Sequence, residues 1–174
     1  MVKFQYKLIK IFVFSFAFST LSGCYSEPEY IMKRVPYEGN ELRIDGYYYH
    51  QRNDFGEKTD IYFLFRNGVI YYEPYSYSTN DLNEVEQMII RHYEHELFKH
   101  PNGWGIFEIN GNRLEYETYF SLCGLTRYIG RIENDTTMHL LQSIEDLSGI
   151  SSEDKIFHFK KFSPKPDSIK SFIK

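Results

Sequence analysis

The chain has 174 residues, 20 Lys and Arg against 24 Asp and Glu, and a formal charge of −4, a length that suits one domain. Aromatic residues make up 18% of it, including 16 Tyr and 15 Phe, which argues against disorder, because disordered chains lack the residues that offset ordering entropy. The acidic balance argues against a nucleic-acid partner, since phosphate neutralisation needs a basic face.

Lys3, Lys7 and Lys10 precede a run from Ile11 to Leu21 that is apolar except for Ser15, Ser19 and Thr20. This is the basic and apolar layout of a secretory signal. Eleven helical residues reach roughly 16 Å, short of a bilayer core of about 30 Å, so a permanent transmembrane helix is not expected. Leu21-Ser22-Gly23-Cys24 resembles the bacterial lipobox, in which small residues admit a signal peptidase and the cysteine sulfur receives a diacylglyceryl group. That resemblance makes residues 1–23 a lipoprotein signal peptide and Cys24 the first mature residue, triacylated with palmitate-type chains. Each buried methylene adds about 0.8 kcal/mol, so several chains anchor firmly. Removal of residues 1–23 takes three lysines and no acid, leaving −7 over 151 residues. Tyr25 stands where an inner-membrane retention aspartate would be, so the outer membrane is the expected location, facing the periplasm or the surface. Glu27 and Glu29 resemble surface-export signals of some Gram-negative anaerobes. Once Cys24 is acylated only Cys123 remains, so no intramolecular disulfide is expected, and Cys123 between Leu122 and Gly124 reads as a small buried hydrophobe.

Residues 24–41 hold Pro28, Pro36, Gly39 and four Glu with little apolar periodicity, as a tether would. Strand patterns then follow in order. Leu42 to Tyr49 opens the series. Thr59 to Arg66 alternates Ile61, Phe63 and Phe65 against Tyr62 and Leu64, and Asn67-Gly68 separates it from Val69 to Tyr72. Asn-Gly between β-rich runs predicts a hairpin with a type I′ turn. Trp104 to Ile109 leads through Asn110-Gly111 to Arg113–Phe120, whose Leu114, Tyr116, Thr118 and Phe120 alternate with Arg113, Glu115, Glu117 and Tyr119. Arg127 to Glu133 turns at Asn134-Asp135 into Thr137 to Ile144, and Lys155 to Phe162 closes the series.

One helix is expected between the third and fourth strands. Asn80 or Asp81 can cap it, Glu84 completes a capping-box spacing, and Leu82, Val85, Ile89, Tyr93 and Leu97 form one apolar stripe that must pack on an end or flank of the sheet. Pro101 and Gly103 end it. Eight sequential strands with short turns predict an eight-stranded antiparallel up-and-down barrel over 42–168, with 169–174 as a tail and a two-sheet sandwich as the alternative. A barrel of this size is filled by side chains or holds one small ligand.

The segments Leu42 to Tyr49, Trp104 to Phe107, Gly130 to Thr137 and Phe162 to Ser168 together resemble the small lipocalin-like lipoproteins of Gram-negative anaerobes. The resemblance implies a lipocalin-like barrel on a lipid anchor and brings no catalytic residue. The long insert carrying the helix departs from the short turns of many such barrels.

Candidate sites divide by geometry. His95-Glu96-Leu97-Phe98-Lys99-His100 has one residue too many for H-E-x-x-H, and i to i+5 turns the two imidazoles roughly 140° apart on a helix. His92 and Glu96 share a face but read as a surface polar pair, so no metal and no cofactor are expected. Glu115 and Glu117 lie about 7 Å apart on one strand face, which the alternation makes the wet one. No nucleophile elbow, P-loop or dinucleotide fingerprint is present, so an enzyme is not expected. Tyr47, Tyr49, Tyr71 and Trp104 are the candidate ligand-binding residues, because aromatics give rigid contact area, with an aromatic core as the plainer reading. Asp135-Thr136-Thr137 and Asp167-Ser168-Ile169 resemble O-glycosylation triplets. The expected function is a non-enzymatic, lipid-anchored envelope binding protein for a small apolar ligand, lipid or glycan. The alternative is an accessory subunit acting through protein contacts.

Overall fold

A computed structural model of the protein describes residues 28–52, 56–73, 77–94, 97–121, 124–145, 149–169 and 173. The signal peptide, Cys24, Cys123, His95 and Glu96 lie outside the described residues.

Eight strands form a closed antiparallel barrel in sequence order: β1 (Gly46–Arg52), β2 (Lys58–Leu64), β3 (Val69–Tyr72), β4 (Trp104–Asn110), β5 (Arg113–Phe120), β6 (Gly124–Asn134), β7 (Thr137–Glu145) and β8 (Gly149–Lys161). Closure is made by β1 on β8, from Gly46 opposite Lys161 to Tyr49 opposite His158. The long insert leaves the ladder intact, since Val69, Ile70 and Tyr71 pair with Ile106, Gly105 and Trp104. Gly105 makes that approach possible: a Cβ there would sit 1.8 Å from the Glu117 carbonyl oxygen.

The hairpins differ from the two-residue Asn-Gly turns expected at both sites. At the first, Gly68 N donates to Phe65 O (3.0 Å), Phe65 N donates to Val69 O (2.9 Å), and Gly68 takes φ 78°, a three-residue loop ended by a left-handed glycine. At the second, Asn110 pairs with Arg113, so the central residues are Gly111 and Asn112.

Helix α1 (Leu82–Glu94) begins at Asp81, whose Oδ1 accepts from Asn83 N at 2.9 Å, and a 3₁₀ turn at Leu97–Lys99 follows it. Its stripe residues Val85 and Ile89 are fully buried against the outer face of β1–β4, where Tyr47, Ile61, Phe63, Val69, Tyr71, Trp104 and Ile106 project. That is one of two cores. The other fills the lumen with Tyr48, Tyr62, Leu64, Ile70, Phe107, Leu114, Tyr116, Ile132, Met138, Leu140 and Phe157. Half of the barrel is therefore buried on both faces.

The segment read as a tether is docked along the wall from Tyr30 onward. Tyr30 Oη donates to Trp104 O at 2.9 Å, and the Glu117 carboxylate accepts from Ile31 N and Met32 N at 2.9 and 3.0 Å. Glu117, expected on the wet face, is consequently only 1% exposed. Further on, Tyr37 N donates to Arg66 O, and the Tyr37 hydroxyl accepts from Leu42 N at 2.8 Å. Tyr37 and Leu42 plug the barrel end formed by the β2–β3, β4–β5 and β6–β7 turns. Lys165 fastens the plug, donating to Ile44 O and Leu64 O at 2.7 and 2.6 Å.

Candidate functional site

The lumen changes character along its axis. Near the plug it is lined by Leu64, Ile70, Phe107, Leu114, Ile132, Met138 and Leu140, all buried. The same inward-facing parity continues toward the other end as His50 and Arg52 on β1, Asp60 and Tyr62 on β2, and Tyr72 on β3. Tyr116 and Thr118 continue it on β5, Tyr128 and Thr126 on β6, Ser143 on β7 and Glu153 on β8. Strand alternation alone puts these side chains together, because every strand runs from plug to mouth or back.

This end is a layer of aromatic rings beneath polar groups. Tyr62 meets Tyr72 at 4.8 Å, Tyr116 at 5.3 Å and Phe157 at 5.1 Å between ring centroids, and Tyr116 stacks on Tyr128 at 4.7 Å. Arg52 Nε lies 3.2 Å from Asp60 Oδ2, and the Tyr72 hydroxyl donates to Asp60 Oδ1 at 3.3 Å. Ser143 Oγ donates to Glu153 Oε1 at 3.0 Å, and Lys155 Nζ lies 2.7 Å from the other Glu153 oxygen. The Tyr116 hydroxyl and Thr118 Oγ1 are buried here beside the Tyr62 and Tyr128 hydroxyls, respectively, without a hydrogen bond of good geometry.

Burial pushes the Tyr62 and Tyr116 phenols far above their ordinary range. Tyr128 is pushed up to about 12 by burial, with Glu153 and Glu145 adding to the effect. All three therefore carry their protons at neutral pH and serve as donors and acceptors. The arrangement offers aromatic faces, neutral hydroxyls and two ion-paired carboxylates, a set suited to hydrogen-bonding a polar ligand.

The residues singled out in the sequence lie elsewhere. Tyr47, Tyr49, Tyr71 and Trp104 have the opposite parity and face outward into the core beneath α1, where Tyr47, Tyr71 and Trp104 are fully buried and Tyr49 is half-buried. Tyr71 packs on Trp104 at 4.4 Å and on Phe98 at 4.7 Å, Trp104 Nε1 donates to Phe98 O, and the Tyr47 hydroxyl donates to Glu86 of α1. The structure brings the four together, but as cement between helix and barrel and outside the lumen. The mouth residues carried a legible signal, namely that Tyr62 and Tyr72 share parity with Leu64 and Ile70 on their own strands.

His92 contacts Glu73 (3.5 Å) and the Tyr77 hydroxyl (3.3 Å) beneath the helix. Among the described residues no group of three His, Cys, Asp or Glu side chains is placed to hold a metal. Glu115 is ion-paired to Arg113 and Arg127; burial works against its carboxylate, but the two guanidiniums outweigh it and hold it below the usual range. With Met32, Glu108 and Asn110 these three line a wall groove of about 450 Å³. Its arginines are already committed to Glu115.

The fold and mouth define a class, a closed eight-stranded up-and-down barrel with a helix on its flank and a polar aromatic end. Comparison with protein-family models, curated proteins and solved structures finds no match to this chain.

Proposed function

We propose that this chain is a lipid-anchored, non-enzymatic binding protein of the bacterial outer membrane, and that its polar barrel mouth takes a small hydroxylated ligand of the glycan class. The anchor rests on the sequence Leu21-Ser22-Gly23-Cys24 and the apolar run before it. Kinship with lipocalin-like lipoproteins rests instead on the segments Leu42 to Tyr49, Trp104 to Phe107, Gly130 to Thr137 and Phe162 to Ser168. The ligand class rests on one observation, the buried Tyr116 and Thr118 hydroxyls at the base of a tyrosine-lined mouth, which lie beside the Tyr62 and Tyr128 phenols and make no well-aligned hydrogen bond. An unsatisfied buried hydroxyl costs about 1–3 kcal/mol, and a ligand hydroxyl returns it. An apolar ligand or lipid acyl chain would leave that cost standing, and the apolar half of the lumen is occupied by the protein's own side chains. Stacking of sugar rings on Tyr72 and Tyr128 would add contact area.

Native mass spectrometry of the acylated protein, purified in mild detergent from its own host, tests the proposal. A small adduct that fragments as a saccharide, is lost on denaturation, and disappears in a Tyr116→Phe/Thr118→Val variant that folds normally is the expected result. A lipid adduct or a bare monomer would refute the ligand class. A stoichiometric protein partner would favour the accessory-subunit reading instead.

A further inference from the structure

We propose that the barrel lies with one particular wall against the bilayer, the wall that carries the N-terminal strap (residues 30–36) and the C-terminal tail, with Ile31, Val35 and Ile169 entering the lipid interface. The proposal rests on the acylation of Cys24 proposed above.

Large apolar side chains exposed among the described residues fall into two groups. Ile31 (76% exposed), Val35 (52%) and Ile169 (81%) belong to strap and tail, while Leu141, Ile150 and Ile156 belong to β7 and β8. Strap and tail form one surface. Arg34 Nη1 donates to Ile173 O at 3.2 Å, and Asn67 Nδ2 donates to Ser168 Oγ at 3.1 Å. The Val35 carbonyl lies against Gly68, so close that a Cβ there would be 2.1 Å from it. Val35 and Ile169 thus flank the same turn, Asn67-Gly68, and Ile31 stands further up the strap.

The chain's own length selects the occupant. Five residues lie between Cys24 and Tyr30, and the six Cα–Cα steps span at most about 20 Å when fully extended. Tyr30 and the two residues after it are pinned to Trp104 and Glu117 on the β4–β5 wall. That wall is therefore held near the headgroups, whereas β7 and β8 stand diametrically opposite β3 and β4 in the closed order. Anchoring raises the effective concentration of lipid at the strap, so a few apolar side chains suffice to fix the orientation. Lys33 and Arg34 are exposed between Ile31 and Val35, where they meet lipid phosphates, and Glu29 and Glu38 bound the patch.

The test uses the acylated full chain carrying Val35→Trp, Ile169→Trp or, as the control on the far wall, Ile156→Trp. Vesicles are made of phosphatidylethanolamine and phosphatidylglycerol with brominated acyl chains. Trp104, the single native tryptophan, is buried and gives a constant background. The expected result is an approximately twofold loss of the introduced emission at 35 and 169 and none at 156, as for side chains entering the headgroup boundary. Equal loss at all three positions, or none at 35 and 169 in protein that floats with the vesicles and carries the acyl mass, overturns the proposal. Protein that neither floats nor carries acyl mass on Cys24 overturns the anchoring itself, and the orientation falls with it.

Discussion

Raising the pH above 10 should unfold this barrel abruptly, because its tyrosines resist ionisation where they sit. Burial is the leading cause that raises the phenols of Tyr30, Tyr47, Tyr48, Tyr62, Tyr77, Tyr93, Tyr116 and Tyr128 above their ordinary value of 10.0. A group whose folded pKa is raised contributes stability that is intact below the unfolded pKa. As pH climbs past 10, the unfolded chain releases protons that the folded chain retains, and that stability drains away. Each such tyrosine removes about 1.4 kcal/mol per pH unit, so eight together remove about 11 kcal/mol. This matches the whole stability of an ordinary domain, about 5–15 kcal/mol, and places the transition within roughly one pH unit above 10. Far-UV circular dichroism and phenolate absorbance, followed in parallel, should move together in one steep step. Tyrosines that titrated gradually near 10 while the dichroism stayed native would refute the argument, since they would be ionising in place.

Three other perturbations have outcomes set by single contacts. Lys165, lowered to about 8 by burial with Asp45 opposing, gives stability that grows as pH rises from 8 toward the unfolded value of 10.5. Between pH 8 and 10 the native chain should therefore gain about 2–3 kcal/mol over Lys165→Met in urea unfolding, and parallel pH curves would refute this. Glu117→Ala removes the acceptor of Ile31 N and Met32 N and should cost about 2 kcal/mol while opening the strap to limited proteolysis near Lys33 and Arg34; an unchanged cleavage rate would show that the strap is held by other contacts. Gly105→Ala sets a Cβ 1.8 Å from the Glu117 carbonyl oxygen and should destabilise by about 3 kcal/mol in thermal unfolding, and a neutral result would mean that β4 and β5 can part.

What was legible in the sequence was local and periodic. β3 and β5 occupy the residues their alternation marks, and the helix begins at its capping aspartate. β1 starts later than its pattern, because Leu42 and Ile44 continue the apolar alternation but serve the plug and not the ladder. β8 starts earlier, at Gly149, since Ser151 and Ser152 are exposed and pair with Ser143 and Gln142 through the backbone ladder, which side-chain pattern does not report. The docked strap was hidden for a different reason. Its backbone donors find their acceptor at Glu117, some 85 residues away, and nothing local in residues 30–36 announces a partner so distant. The mouth depended on parity. In Tyr47-Tyr48-Tyr49 and Tyr71-Tyr72 both faces look alike, and the packing of α1 on the flank, which the helix pattern left open against an end, decides which face is lumen.

That parity makes neighbouring tyrosines separable in function. Tyr71 faces outward into the helix-covered core, in contact with Trp104, Phe98 and Phe63. Tyr72, the next residue, faces the lumen, touches Tyr62 and Phe120, and is only half-buried. Tyr71→Ala empties a fully packed site and should cost about 3–5 kcal/mol, the range for truncating a large buried aromatic. Tyr72→Ala removes a ring with one side already open and should cost less than half as much, while abolishing the saccharide adduct. Denaturation curves and native spectra on the two variants would place each residue. If Tyr71→Ala lost the ligand at full stability, the binding face would be the outer wall beneath α1. The mouth would then be only the polar end of a filled barrel.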